Sequence, residues 1–250
     1  MPIVCKSPAE LEKMRRSGRV VREVLETVAA QVKPGVTTMD LEKAAEAKIR
    51  ELGAKAAFKG YRGYPCALCT SVNSEIIHGI PSSKRVLKEG DIVSLDFGVV
   101  LDGYYADSAI TVPVGNHVQP DVKKLLEVTE KALYRGIEAA RVGNTVGDVG
   151  AAVQELVEAN GFSVVREFVG HGIGTSLHED PQVPNYGTRG FGARLREGMV
   201  LAIEPMVCAG KPDARVLDDS WTAVTADGSL SAHFEHSVAV TADGPVILTQ

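Results

Sequence analysis

Apolar residues near the start of the chain recur every three or four positions, which is the spacing of one buried face of an α-helix. One such face covers residues 11–32, and Ser7 followed by Pro8 suits the start of that helix. A second face covers residues 41–52 and ends before Gly53. The pattern predicts two consecutive amphipathic helices.

The same pattern returns later in the chain with the residue numbers raised by 108. Thr37 and Asp40 have the spacing of a helix capping box, and Thr145 and Asp148 repeat it. A long apolar helix face also comes before each copy. Surface helices often resemble one another by chance, so this match alone carries little weight.

A third match in the same register makes a duplication the better interpretation. Leu-Lys-Glu-Gly at 87–90 and Leu-Arg-Glu-Gly at 195–198 each come before an apolar run. We therefore predict a single domain over 1–250 with internal repeats at about 7–112 and 115–241.

Strand-like runs follow each predicted helix pair. Asp102 and Gly103 are a strong signal for a two-residue hairpin turn. Strands are predicted at residues 91–100, 104–112, 199–204, 233–240 and 246–248. Two copies of a helix pair followed by a hairpin predict an α/β fold of the α+β kind, with one mainly antiparallel sheet and the helices on one side of it.

Composition narrows the class of protein. The chain has 250 residues, 44% of them hydrophobic, and a net charge of −5. These values exclude a disordered chain and argue against a nucleic-acid binder, which would usually carry a basic excess. The sequence shows no membrane-spanning run and no secretory signal, and four cysteines are too few for a disulfide scaffold. A cytoplasmic protein is expected.

Two acids interrupt the predicted hairpin. With a two-residue turn, Asp107 lies opposite Gly98, and Asp96 and Asp107 become diagonal neighbours on one face, with Cα atoms about 7–8 Å apart. Carboxylates inside apolar strands are costly unless a cation pairs with them. The hairpin therefore predicts two acids that converge on one cation.

The second half supplies an equivalent pair. Asp96 corresponds to Glu204 at the offset of 108. Asp107 corresponds to Glu235 at an offset of 128, since the connection between the two strands is longer in the second half. Four clustered carboxylates would balance two divalent cations. His171, between glycines in a Gly-His-Gly-Ile-Gly loop, is the candidate imidazole ligand. Oxygen ligands with one imidazole suit Mn, Fe, Co or Zn, and the ligand types do not choose among them.

At this point the chain resembles the type I methionine aminopeptidases, over essentially its whole length. The segments that carry the resemblance are VNSEIIHGIP at 72–81, residues 91–107, GHGIG at 170–174 with His178 and Glu179, IEPM at 203–206, and Glu235 with His236. The resemblance implies the duplicated pita-bread fold, a curved sheet with two helix pairs on its outer side and a pseudo-twofold axis.

The resemblance also implies the site. It makes Asp96, Asp107, His171, Glu204 and Glu235 the ligands of two divalent ions. It implies that Glu204 handles the proton of the attacking water, that His178 binds the scissile carbonyl and that His78 contacts the scissile amide. The implied methionine pocket consists of Tyr61, Tyr64, Cys69, Leu177 and Trp221, with the departure that Leu177 stands where the family has an aromatic residue.

The remaining implications concern ions, partners and activity. A monovalent cation would bind at Asn73, at the backbone of Glu75 and at Ser231. The implied activity is removal of the N-terminal methionine from nascent proteins and peptides with a small second residue, by a cytoplasmic monomer with the ribosome as a candidate partner and no nucleic-acid or membrane site.

Other interpretations stay open at this stage. One is another pita-bread peptidase, an Xaa-Pro aminopeptidase or prolidase, although those usually carry a sizeable N-terminal domain. Another is a metal-free peptide-binding module of the same fold, although all five ligand positions are kept. A redox or zinc role for Cys66 and Cys69 is disfavoured, because Pro65 precedes the pair and a strand-like segment follows it.

Overall fold

Residues 2–250 are described by a computed structural model. Four α-helices lie at Pro8–Ala29 (α1), Thr38–Glu51 (α2), Pro120–Ala139 (α3) and Val146–Ala159 (α4). The predicted caps are present: Ser7, Thr37 and Thr145 each complete a capping box at the start of a helix. Gly53 adopts the positive φ of 67° that a residue following a helix C-cap requires.

Strands β1 to β15 follow one another along the chain. They are Lys55–Ala56 (β1), Leu68–Val72 (β2), Glu75–Ile77 (β3), Ile92–Leu101 (β4), Tyr104–Pro113 (β5), Ser163–Val164 (β6), Gly170–Gly172 (β7), Glu179–Val183 (β8), Val200–Ile203 (β9), Met206–Cys208 (β10), Ala214–Val216 (β11), Ala223–Thr225 (β12), Ser231–His233 (β13), Glu235–Thr241 (β14) and Gly244–Ile247 (β15).

One nine-stranded sheet organises the molecule. Its order is β1-β4-β5-β14-β9-β7-β8, with β2 also paired to β4 and β15 to β14. The pairings in this sheet are antiparallel, as predicted. Two smaller three-stranded sheets, β13-β10-β6 and β11-β12-β3, lie beside it. The two long strands of the predicted hairpin, β4 and β5, pair with each other along their whole length.

The helices cover one face of the large sheet, because apolar side chains alternate along its strands and point to that face. In β4, Val93, Leu95 and Phe97 pack into a buried core with residues of α1 and α2, whereas Asp96 and Gly98 belong to the opposite face. In the second half, Ile203 and Val238 pack in the same way against α3 and α4. The acids therefore collect on the face that the helices leave open.

The two halves match in detail. Helices α2 and α4 keep the offset of 108 at both ends, and the isolated bridges Thr37–Val86 and Thr145–Arg194 keep it too. These equivalences are what a duplication would produce, and the duplication and the single domain stay predictions.

One predicted strand is wrong in its extent. Residues 233–240 were expected to form one strand, but the chain changes sheets at Phe234. His233 pairs with Met206 in a small sheet, whereas Glu235 pairs with Ala109 in the large one. The sequence gives no sign of this change, since the residues on both sides of Phe234 are buried in their respective sheets.

The matched caps provide a test of the folding signals. Thr37→Ala and Thr145→Ala should each lower the free energy of unfolding by about 1 kcal/mol, because each removes the acceptor for a helix N-terminal N–H. Urea unfolding measures this. Thr27→Ala inside α1 is the control and should cost less, since alanine is the better helix former there. Equal stability of all three variants would contradict the capping role.

Candidate metal centre

Five predicted ligands meet on the open face of the sheet, from different strands. Gly98 pairs with Asp107, as predicted, which makes Asp96 and Asp107 diagonal neighbours. Asp96 and Glu235 both lie directly across from Ala109, one on each side of it. Because alanine carries only a methyl group, the space above β5 is left for the acidic side chains.

The other two ligands come from the second half. His171 on β7 pairs with Ala202 on β9, and Glu204 directly follows β9. His171 Nε2 lies 3.6 Å from Asp107 Oδ2 and 3.6 Å from Glu204 Oε1. Ligand atoms of Asp107, His171 and Glu235 all lie within 4.8 Å of one another. The structure thus brings together the five residues that the sequence singled out.

The tautomer of His171 is set by its backbone. His171 Nδ1 lies 2.9 Å from the carbonyl oxygen of Gly172, so Nδ1 carries the proton and donates it. Burial lowers the pKa of His171 to about 4, which keeps the ring neutral. Its Nε2 lone pair then faces carboxylate oxygens of Asp107 and Glu204, and a cation between these atoms could bind to all of them.

The four carboxylates are buried against one another. Desolvation, followed by the charge of Asp107, raises the pKa of Asp96 well above its usual range. Burial and neighbouring acids raise the pKa values of Glu204 and Glu235 in the same way, and burial raises that of Asp107 to about 7. Asp96 Oδ1 has no hydrogen-bond partner within residues 2–250. Four carboxylates, one of them with an unpaired oxygen, and one imidazole form a ligand set that fits divalent cations.

A cleft opens above this cluster and contains every predicted pocket residue. Its walls include Tyr61, Tyr64, Cys69, Leu177 and Trp221, together with His78 and His178. The edge of the Tyr64 ring meets Trp221 with ring centres 5.1 Å apart. The Tyr64 hydroxyl lies 3.1 Å from the carbonyl oxygens of Leu68 and Gly79, which fixes the ring in place.

Two histidines flank the ligand cluster. His178 Nδ1 lies 2.9 Å from the Tyr61 hydroxyl, and its ring centre lies 4.2 Å from that of His171. Burial, together with the neighbouring His171 and Arg62, lowers the pKa of His178 to about 3. Burial and His178 lower the pKa of His78 to about 4. Both rings are therefore neutral near pH 7 and can donate or accept a hydrogen bond.

The predicted monovalent-cation residues also lie together. Ser231 N–H donates to the Asn73 carbonyl oxygen at 2.9 Å, and the Glu75 carboxylate accepts from Val72 N–H. The Asn73 side chain donates from Nδ2 to the Asp91 carboxylate and accepts at Oδ1 from the N–H of Ile92. The cation itself stays a prediction.

Sequence reasoning missed part of the site. Phe58, Arg62, Ile77, Phe168 and Val169 also line the cleft. Arg62 adopts a left-handed conformation with φ 49°, which no sequence pattern announces. His233, completely buried beside Glu204, was also missed. The only available signal for it was its position two residues before Glu235.

Comparison with known proteins decides the family. The pattern of metallopeptidase family M24 matches residues 12–242 of the chain. The chain belongs to metallopeptidase family M24. It is 52% identical to methionine aminopeptidase 1 of Bacillus subtilis, over 99% of this chain and 99% of that relative. It superposes on the crystal structure of methionine aminopeptidase from Thermotoga maritima with a TM-score of 0.98 and 48% identity, covering 100% of both chains.

A more distant structural neighbour resembles the chain at low sequence identity. The prolidase from Pyrococcus furiosus has a TM-score of 0.79 and 22% identity, and 65% of its chain is covered, so it shares the fold alone. The predicted resemblance to methionine aminopeptidases and the pita-bread fold are confirmed. An Xaa-Pro peptidase is not favoured, because the relatives that share about half of their residues with this chain are named methionine aminopeptidases.

The buried acids predict how stability depends on pH. A carboxyl whose pKa is raised by folding stabilises the protein below its unfolded pKa of about 4, and this stability is lost as the pH rises. For Asp107 the loss is complete above a folded pKa of about 7. Without divalent ions, Asp96→Asn should therefore gain thermal stability over the parent chain as the pH rises from 5 to 8, by a few degrees.

The comparison of these two proteins cancels the opposite effect of the buried histidines, which both contain. Adding Mn²⁺ should reverse the order, because the parent chain keeps the full set of ligands and is stabilised more. Differential scanning calorimetry in chelator and in Mn²⁺ measures both effects. A constant difference between the two proteins at all pH values would contradict the idea of a shared cation site.

Proposed function

We propose that this chain removes the N-terminal methionine from proteins and peptides by hydrolysing the first peptide bond, with divalent metal ions as cofactors and a preference for a small second residue. One observation carries the proposal most directly. A cluster of four acids and one histidine forms the floor of a cleft whose walls are aromatic rings and a thiol. That cleft combines a cation site with a pocket for a polarisable thioether side chain.

The residues that would hold the ions are Asp96, Asp107, His171, Glu204 and Glu235. When bound, two divalent ions supply Lewis-acid polarisation of water and of the scissile carbonyl. The ligand set fits Co, Mn, Fe or Zn, and the choice among them is left to metal analysis.

The chain's own groups supply proton transfer and orientation. Glu204 has a raised pKa and lies at the edge of the ligand cluster, so it suits the transfer of a proton from water to the leaving amine. The Tyr61 hydroxyl donates to Nδ1 of the neutral His178, which leaves Nε2–H free to donate to the carbonyl oxygen as negative charge develops there. His78 would contact the scissile amide.

The side walls would select the substrate. Tyr64, Cys66 and Cys69 form one buried apolar cluster, and the partly buried Phe58 and Trp221 pack against it. Burial and the charge of Asp96 raise the pKa of the Cys69 thiol well above its usual value, so it stays neutral and soft. Leu177, also buried, replaces an expected aromatic and leaves the pocket apolar.

The cellular setting is part of the same proposal. The structure contains no helix, within residues 2–250, that is long and apolar enough to cross a membrane. We place the protein in the cytoplasm as a monomer that acts on newly made chains. A contact with the ribosome stays a prediction.

A peptide assay tests the activity. With Mn²⁺ or Co²⁺, the protein should release free methionine from Met-Ala-Ser, and it should leave intact those Xaa-Pro peptides that begin with a residue other than methionine. A chelator should abolish release. Glu204→Gln should reduce the rate by about 10²–10⁴-fold, the usual contribution of a general base. Glu197→Gln, the same change at an exposed position, is the control and should retain full activity. Cleavage only before proline would refute the proposal.

The chain's own N-terminus is a second test. Met1 precedes Pro2, a small residue, and lies outside the described residues 2–250. Made by cell-free translation without other aminopeptidases, the active protein should lose Met1, whereas Glu204→Gln should keep it. Intact-mass measurement distinguishes the two forms. Retention of Met1 by the active protein with Mn²⁺ present would contradict the preference for small second residues.

A further inference from the structure

His233 is a buried histidine that the proposed reaction leaves without a role. It ends β13, is 1% exposed and has no hydrogen-bond partner at either ring nitrogen within residues 2–250. A buried polar atom left unpaired costs about 1–3 kcal/mol, so such atoms usually have a function or a missing partner. The question is what the ring faces.

The ring faces the side chain of Glu204. His233 Nε2 lies 3.7 Å from Glu204 Oε2, while Oε1 of the same carboxylate lies 3.6 Å from His171 Nε2. One carboxylate oxygen is thus directed at the ligand cluster and the other at His233. His233 is not among the residues that line the cleft.

The backbones on both sides of this contact are held in place. The N–H of His233 donates to Thr111 Oγ1 at 2.8 Å, and the Thr111 hydroxyl donates back to the His233 carbonyl oxygen at 2.7 Å. The Glu204 carbonyl oxygen accepts from Asn185 Nδ2 at 2.9 Å. Small side-chain rotations would therefore be enough to close the gap between the ring and the carboxylate to hydrogen-bond length.

We propose that His233 is a positioning residue for Glu204, whose Oε2 accepts a hydrogen bond from His233 Nε2–H, so that Oε1 is held towards His171 and a bound divalent ion. This rests on the proposed role of Glu204 as a metal ligand. A carboxylate oxygen is a strong acceptor for such an N–H, and a cation at Oε1 would leave Oε2 directed at His233. Groups that orient metal ligands in this way typically change metal affinity or activity by 10–100-fold.

Two substitutions of similar polarity separate positioning from packing. His233→Gln places an amide NH₂ near the position of Nε2 and should restore the contact, whereas His233→Asn is too short to reach Glu204. Calorimetric titration with Mn²⁺ should show the parent affinity, within about threefold, for the Gln variant and a loss of about 10–100-fold at one site for the Asn variant. With Met-Ala-Ser, the Asn variant should lose kcat while KM stays within about twofold.

Equal affinity of the parent and the Asn variant would overturn the proposal, and so would an equal loss in both variants. The second result would mean that the imidazole itself binds the ion. Because ion binding is measured without substrate, the proposal can fail while methionine release persists, and it can hold if methionine release fails.

A measurement on the unaltered protein covers the case in which the Asn variant does not fold. With ¹⁵N-labelled histidine, adding diamagnetic Zn²⁺ should shift the His233 Nε2–H proton downfield, as expected for a hydrogen bond to a carboxylate. The His233→Gln spectrum, which lacks this signal, assigns it. A His233 signal that is unchanged when Zn²⁺ saturates the site would overturn the proposal.

Discussion

The mutual repulsion of four buried carboxylates is the constraint on which the rest of this structure depends. Asp96, Asp107, Glu204 and Glu235 each have a raised pKa, because burial disfavours their charged forms. The neighbouring acids add to this effect for Asp96, Glu204 and Glu235. A cation at their centre would balance the charges and let the acids stay ionised at neutral pH. A rigid antiparallel sheet, with the helix pairs packed on its other face, holds the acids together against this repulsion before any ion is bound.

Much of this arrangement could be predicted because its signals are local. The two-residue turn at Asp102 and Gly103 fixes the register of β4 and β5, and the register alone places Asp107 opposite Gly98. Each capping box lies within four consecutive residues, so the sequence marks the starts of three of the four helices, α1, α2 and α4. The four acidic ligand candidates followed from equivalent positions in two halves that carry the same short-range pattern, whereas His171 was singled out by its glycine-rich loop.

The missed residues depend on contacts between distant parts of the chain. Strands of two or three residues, such as β10 and β13, are too short to show a period, so the sequence does not reveal that His233 lies beside Met206. Phe58 and Phe168 line the cleft from separate loops with no regular spacing. The left-handed backbone of Arg62 is set by the loop around it, and arginine gives no sign of it. Local patterns thus identify the candidate ligands, while the residues that surround them depend on tertiary packing.

The register also shows where the two halves differ. β2 pairs with β4 as β7 pairs with β9, and this correspondence places Ser71 on β2 at the position that His171 occupies on β7. His78 and His178 each follow seven residues later, and both line the cleft. A duplication therefore accounts for the paired acids and the paired wall histidines, but the imidazole ligand is present on one side only. One cation position would be surrounded by oxygen alone and the other would include a nitrogen ligand, so the two ions would differ in affinity although the sheet beneath them is nearly symmetric.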